Sequence, residues 1–331
     1  MEHESEPAEG GKTNTNLLLI LFFLSGFAVL IYEVLWLRQL RQLFGSTSLA
    51  AATTLAVFFL GLAAGGYFFG KICRLIKNPL KAYAMLEFAI GITAVLYFFV
   101  LEAYRTLYPS LIDVSGSLFF LTLVKFLLAL GLLFPPAFFM GGTLPVIGHF
   151  IVRTEKQLSI MTSVFYAVNT MGAAFGALAA GFLLPSALGF AASYSVAIAI
   201  NIAIAFAAFC LSTRWKAAVL TEPRETAHAA QKRIIFLTFM SGFLVLSLEV
   251  LWTVMFAQVI VNDIYSFASI LTVLLISLAF GAFLSKYLSS LGRSPWNTLR
   301  MLLLASGFAA ALSALAFYHW TNGLTPLIAQ S

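Results

Sequence analysis

Of the 331 residues, 61% are hydrophobic and only 10% charged, and the mean hydropathy of +0.97 lies far outside the range of a domain that folds around a core in water. The net charge of +6 does not mark a nucleic-acid-binding surface, because the Lys and Arg residues sit in short loops beside apolar runs and form no interleaved basic and aromatic face. A water-soluble enzyme is excluded on the same composition.

Crossing roughly 30 Å of hydrocarbon at about 1.5 Å per residue takes about 20 apolar residues in a helix. Such runs occur near 17–37, 48–70, 80–101, 118–141, 158–184, 187–211, 234–257, 264–285 and 297–318. They predict an all-α polytopic membrane bundle of about nine helices. An acidic tail (1–16) leads into a first six-helix bundle (17–211). A linker (212–233), three further helices (234–318) and a tail (319–331) follow. The first run is preceded by Glu2, Glu4, Glu6 and Glu9 and lacks a small-residue cleavage site after Trp36, so it reads as a retained span rather than a signal peptide.

Orientation follows from the basic residues. Fourteen Lys and Arg fall in the N-terminal tail and the even-numbered loops, against three in the odd-numbered loops (Arg38, Arg41 and Arg105). The positive-inside rule therefore predicts a cytoplasmic N-terminus and an exterior C-terminus. Cys73 and Cys210 are then expected near the cytoplasmic face, reduced and without a disulfide.

The chain repeats itself at an offset of 216 residues. Ser25-Gly26-Phe27 aligns with Ser241-Gly242-Phe243, and Glu33-Val34-Leu35-Trp36 with Glu249-Val250-Leu251-Trp252; the gapless register continues through Gly65 and Gly281. Six spans separate the copies, so they run in the same direction, the parallel arrangement of two-halved transporters of the major facilitator type. The second copy holds three spans where the first holds six, so about three more are expected after Ser331, or another polypeptide that covers the same helix faces.

Intramembrane charges are the candidates for chemistry. Glu33 and Lys125 fall at similar predicted depths and are expected to pair, either as a structural ion pair or as part of a substrate site. Glu249, the repeat equivalent of Glu33, is expected either to hold a proton or a cation or to reach interfacial water. Glu87, about one turn into its span, is expected to meet Lys77 or Lys81. Tyr32, Trp36 and Trp252 read as interfacial anchors or ring faces for a cation, whereas Tyr166 gains from its neighbour Asn169, which can join helices or touch a substrate. Gly172 and Gly176 form a Gly-x-x-x-Gly for close helix packing. Pro135, Pro136 and Pro145, with Gly141 and Gly142 between them, are expected to break the fourth span and provide a hinge. His3, His149, His228 and His319 lack ligand spacing, and no catalytic triad spacing occurs, so no metal, cofactor or catalytic residue is expected.

The repeat motifs, together with Tyr166-Ala-Val-Asn169-Thr170-Met-Gly172-Ala-Ala-Phe-Gly176 and Met140-Gly141-Gly142-Thr143-Leu144-Pro145, resemble the membrane domain of the bacterial fused transporter/spermidine-synthase-like proteins. The resemblance implies a major-facilitator-like bundle in the bacterial inner membrane, handling a small organic cation such as a polyamine. Two alternatives are the membrane part of an aminopropyltransferase-like enzyme whose catalytic domain or subunit lies elsewhere, and a membrane scaffold. The chain departs from the family in its incomplete second half and in lacking the Gly-rich strand-turn-helix of a synthase domain. A weaker likeness joins the turn Gly66–Arg74 to the basic loop after the second span of major facilitators.

The orientation makes a direct prediction. A phosphatase reporter fused at Ser331 should be active and one at Ala218 inactive; the opposite pattern overturns the assignment.

Overall fold

The computed structural model describes residues 9–45, 47–115, 117–151, 155–214, 228–259, 264–290 and 294–325. Most of the 212–233 linker and the end of the C-terminal tail lie outside the described residues. Among those described there is no strand, and nine helices are long and apolar enough to cross a membrane. The protein is an all-α, multi-pass integral membrane protein.

In chain order the helices are α1 (Glu9–Phe44), α2 (Thr47–Ile72), α3 (Pro79–Ser115), α4 (Leu118–Ile151), α5 (Glu155–Leu178), the short α6 (Leu184–Leu188), α7 (Phe190–Arg214), α8 (His228–Val259), α9 (Ile264–Ser290) and α10 (Pro295–Trp320). Helices dominate because hydrocarbon offers the backbone no partner, so each N–H and C=O must be satisfied within its own segment. A wide π-helical turn at Ala179–Leu183 joins α5 to α6 within one span. It packs on the second half through Gly181 against Ala268 and through Phe182 against Tyr265, whose rings are 5.3 Å apart.

Two differences from the sequence-based expectation matter for the site. The first span runs on to Phe44, so Glu33 lies 11 residues from the end of its helix, about 16 Å. Lys125 is seven residues from the start of α4, about 10 Å along its helix. The apolar run was cut short at Arg38 and Arg41, which the helix carries past its apolar stretch. The second difference is α4 itself. It is one continuous helix with Pro135, Pro136 and Pro145 inside it, not a broken one. In the membrane, the hydrogen bonds a proline removes cost less than abandoning the helix to an open turn.

Glycine sets how closely the first six spans approach. On α4, Gly141 lies against the backbone of Leu62, and Gly142 lies under the ring of Phe69; across from them, Gly61 meets Ala137 and Gly65 the Phe138 carbonyl. Gly141 and Gly142 are thus packing surfaces of an α2–α4 crossing. On α5, Gly172 and Gly176 rest on the backbone of Phe23 and Phe27, while Gly26 of α1 faces the Asn169 carbonyl. None of these positions has room for a Cβ, which is how small residues bring membrane helices into backbone contact. The repeat counterparts behave differently: nothing lies within 4 Å of a Cβ built at Gly242 or Gly281.

This contrast is testable by alanine substitution. Gly26→Ala and Gly172→Ala should lower thermal stability by about 1–3 kcal/mol through overpacking. At Gly281 the same change should be neutral or stabilising by about 0.5–1 kcal/mol, the helix preference of alanine over glycine. Thermal unfolding in detergent separates the two outcomes.

Candidate functional site

Residues one turn apart on a helix share a face, so Ser25, Val29 and Glu33 form a single stripe on α1. Ser241, Val245 and Glu249 form the same stripe on α8. In the structure both stripes line one cavity of about 860 Å³ between the first bundle and the second half. Its walls are built from the repeat. Seven pairs related by the 216-residue offset contribute: Ser25 with Ser241, Val29 with Val245, Leu30 with Leu246, Glu33 with Glu249, Phe58 with Leu274, Phe59 with Leu275 and Leu62 with Leu278. The cavity is thus lined by equivalent residues of the two copies.

Further wall comes from α4 and α5, through Met140, Thr143, Tyr166, Asn169, Thr170 and Ala173, and from α10 through Trp296 and Leu299. Along α8 the lining runs from Ile234 to Glu249, 15 residues or about 22 Å, so the carboxylates occupy the end far from the side that carries the N-terminus. A smaller hollow of about 630 Å³ adjoins the other end, sharing Leu237 and Trp296 and adding Lys232 and Arg300.

Glu33 is 3% exposed and Glu249 2%. Both side chains line the same cavity. One carboxyl oxygen of Glu249 is buried without a hydrogen-bond partner, a costly state for an acceptor that has left water. Asn169 donates through Nδ2 to the Phe22 carbonyl at 2.8 Å, so it joins α5 to α1 as well as facing the cavity. Tyr166 is 40% exposed. The structure thus gathers four of the five candidate substrate residues, Glu33, Glu249, Tyr166 and Asn169, around one space. Lys125, half-buried on α4, is not among the lining residues.

Behind the cavity lies a second polar cluster. Glu87 is fully buried; Ser25 Oγ donates to its Oε1 at 2.6 Å and Asn201 Nδ2 to its Oε2 at 2.7 Å. Tyr32 donates to Asn201 Oδ1 at 2.8 Å. The Tyr83 hydroxyl sits beside the same carboxyl in a geometry too poor for a good hydrogen bond. Glu87 therefore ties α3 to α1 and α7, rather than meeting Lys77 or Lys81; Lys81 lies over the Phe209 ring, 5.7 Å from its centroid. The aromatics near it are core, not interfacial anchors. Tyr32 and Trp36 are both 0% exposed and stacked at 5.5 Å, and Trp36 Nε1 donates to Tyr194 Oη at 3.1 Å. Trp252, by contrast, is half-buried and packs on Phe256 and Phe317.

The sequence reading missed Ser25, Asn201 and Ser241. Two signals were available: both serines belong to the repeated Ser-Gly-Phe, and Asn201 is the one amide within an otherwise apolar span.

Double-mutant cycles on thermal stability check the arrangement. Glu33→Gln and Lys125→Met should be additive within about 0.5 kcal/mol, since Lys125 is not among the residues that line the cavity with Glu33. Glu33→Gln and Glu249→Gln should couple, because removing either carboxylate relieves the other. Coupling confined to the Glu33/Lys125 cycle would refute this placement. Comparison with protein-family models, with curated proteins and with solved structures finds no match for the chain.

Proposed function

We propose that this integral membrane protein binds a small organic cation in the cavity and carries it across the membrane. A single observation carries the reading: two repeat-related carboxylates face one apolar cavity, and one oxygen of Glu249 is buried with no partner. Carboxylates in hydrocarbon are retained where they meet a charge or an ion path, and a bound ammonium group would satisfy both of them. The volume of about 860 Å³ falls within the roughly 300–1,000 Å³ of small-molecule sites, whose walls are mostly apolar with a few polar groups that fix orientation. Two carboxylates at one end suit a ligand with more than one amine, followed by a methylene chain that the leucine and phenylalanine walls accept.

The resemblance to the fused transporter/spermidine-synthase-like family points the same way, toward polyamines and a major-facilitator-like exchange between two sides. The parallel repeat supports that reading, since a site between two copies can be exposed by rocking one against the other. Lys232 and Arg300, on the adjoining hollow, oppose a cation approaching from that side, and salt screens such a field over about 10 Å.

The test is binding and transport of labelled spermidine and putrescine by the purified chain in lipid vesicles. Glu33→Gln and Glu249→Gln should each weaken binding about tenfold or more, a loss of about 1.4 kcal/mol per carboxylate. Lys125→Met should leave binding unchanged. If both glutamine variants transport as the parent does, the reading is overturned.

A further inference from the structure

Ser25 belongs to two places at once: it lines the cavity, and its hydroxyl is 2.6 Å from Glu87 Oε1. The geometry points to Glu87 as a buried proton-binding site that exchanges protons with the cavity through the Ser25 hydroxyl. The inference builds on the cavity being the protein's binding site, but not on which cation it takes.

The hydrogen bonds assign each proton. Asn201 Oδ1 is occupied by the Tyr32 hydroxyl, so its amide N–H₂ faces Glu87 and keeps Oε2 an acceptor. A proton on Glu87 therefore resides on Oε1, the oxygen that Ser25 addresses. The titratable groups around the carboxyl are Tyr83, one turn earlier on α3, and Tyr32 on α1; α7 contributes the uncharged Asn201. With the carboxyl at 0% exposure and Ser25 at 2%, Ser25 is the member of the cluster that also reaches the cavity.

Transfer is a two-bond relay. As the Ser25 O–H bond breaks and its proton forms the O–H bond of Glu87 Oε1, a hydronium ion in the cavity gives a proton to the Ser25 oxygen and becomes water. Charge and atoms balance: one hydronium and one carboxylate become one water and one carboxylic acid. The hydrogen bond between the two side chains is reversed. Glu87 now donates to Ser25 Oγ, and the Ser25 hydroxyl points its proton elsewhere, toward the cavity. An ionised Glu87 leaves the Ser25 lone pairs for a cation in the cavity; a protonated Glu87 presents it with an O–H instead. Cation and proton then compete for the site, the coupling that exchange of one for the other requires.

The repeat supplies an internal control. Ser241 lines the same cavity at the position equivalent to Ser25, but the residue equivalent to Glu87 is Leu303. A polar wall alone would make both serines matter equally; the relay makes only Ser25 matter.

The experiment is infrared spectroscopy of the full chain in lipid, in a Glu33→Gln/Glu249→Gln background that removes the cavity carboxylates. The Glu87 carboxylic band is identified by its loss in Glu87→Gln, or, should that variant not fold, by its frequency shift in Ser25→Ala. After transfer to deuterated buffer, deuteration of this band should be slowed about tenfold or more by Ser25→Ala. Ser25→Thr, which keeps the hydroxyl, and Ser241→Ala should both exchange at the parent rate. Equal rates in Ser25→Ala and the parent, equal slowing by Ser241→Ala, or no protonated Glu87 band at any pH at which the protein stays folded would each overturn the inference. Spermidine added to the chain with Glu33 and Glu249 restored should diminish the protonated band. If spermidine does not bind at all while the Ser25 result holds, the cation reading falls and the proton site stands.

Discussion

The backbone contact between α1 and α5 is the constraint on which the site depends. Gly26, Gly172 and Gly176 remove the side chains that would hold the two helices apart, and at that distance Asn169 reaches the Phe22 carbonyl. Packing of this kind is short-range: dispersion between atoms falls steeply with separation, and hydrocarbon supplies no hydrophobic force to pull loosely fitting helices together. Glycine makes the contact possible and the amide hydrogen bond fixes its register. Because α1 is seated there, its Ser25–Val29–Glu33 stripe faces the second half rather than lipid.

Polar groups then divide by what they face. Glu87 is met by donors from α1 and α7, and of these Ser25 also lines the cavity. Glu249 keeps an oxygen with no partner. In a medium that penalises every unmet acceptor, an oxygen left unsaturated is left for something that arrives. The two clusters lie on adjoining faces of α1 and meet at Ser25, the residue that packing and binding share.

Much of this was legible in the sequence. The number of spans follows from apolar run length, and the equivalence of Glu33 and Glu249 from the repeat; that both line one cavity emerges only when the helices are packed. The length of α1 was not recoverable: charged residues at a span end hid its last seven residues, about 10 Å of helix at about 1.5 Å each. Glu87 was misjudged because proximity in sequence suggested Lys77 and Lys81, whereas its partners lie 62 and 114 residues away on other helices. The burial of Trp36 likewise depends on Tyr194, 158 residues distant.

The unbroken course of α4 through three prolines carries a mechanical consequence. Each proline lacks the N–H that would bond the carbonyl four residues before it, so the rungs to Gly131, Leu132 and Gly141 are absent. Flexing a helix ordinarily stretches its hydrogen-bond ladder; here the ladder is already open at two levels, so bending costs less there than elsewhere in the bundle. One of those levels, at Gly141, lies where α4 rests on the backbone of α2 at Leu62.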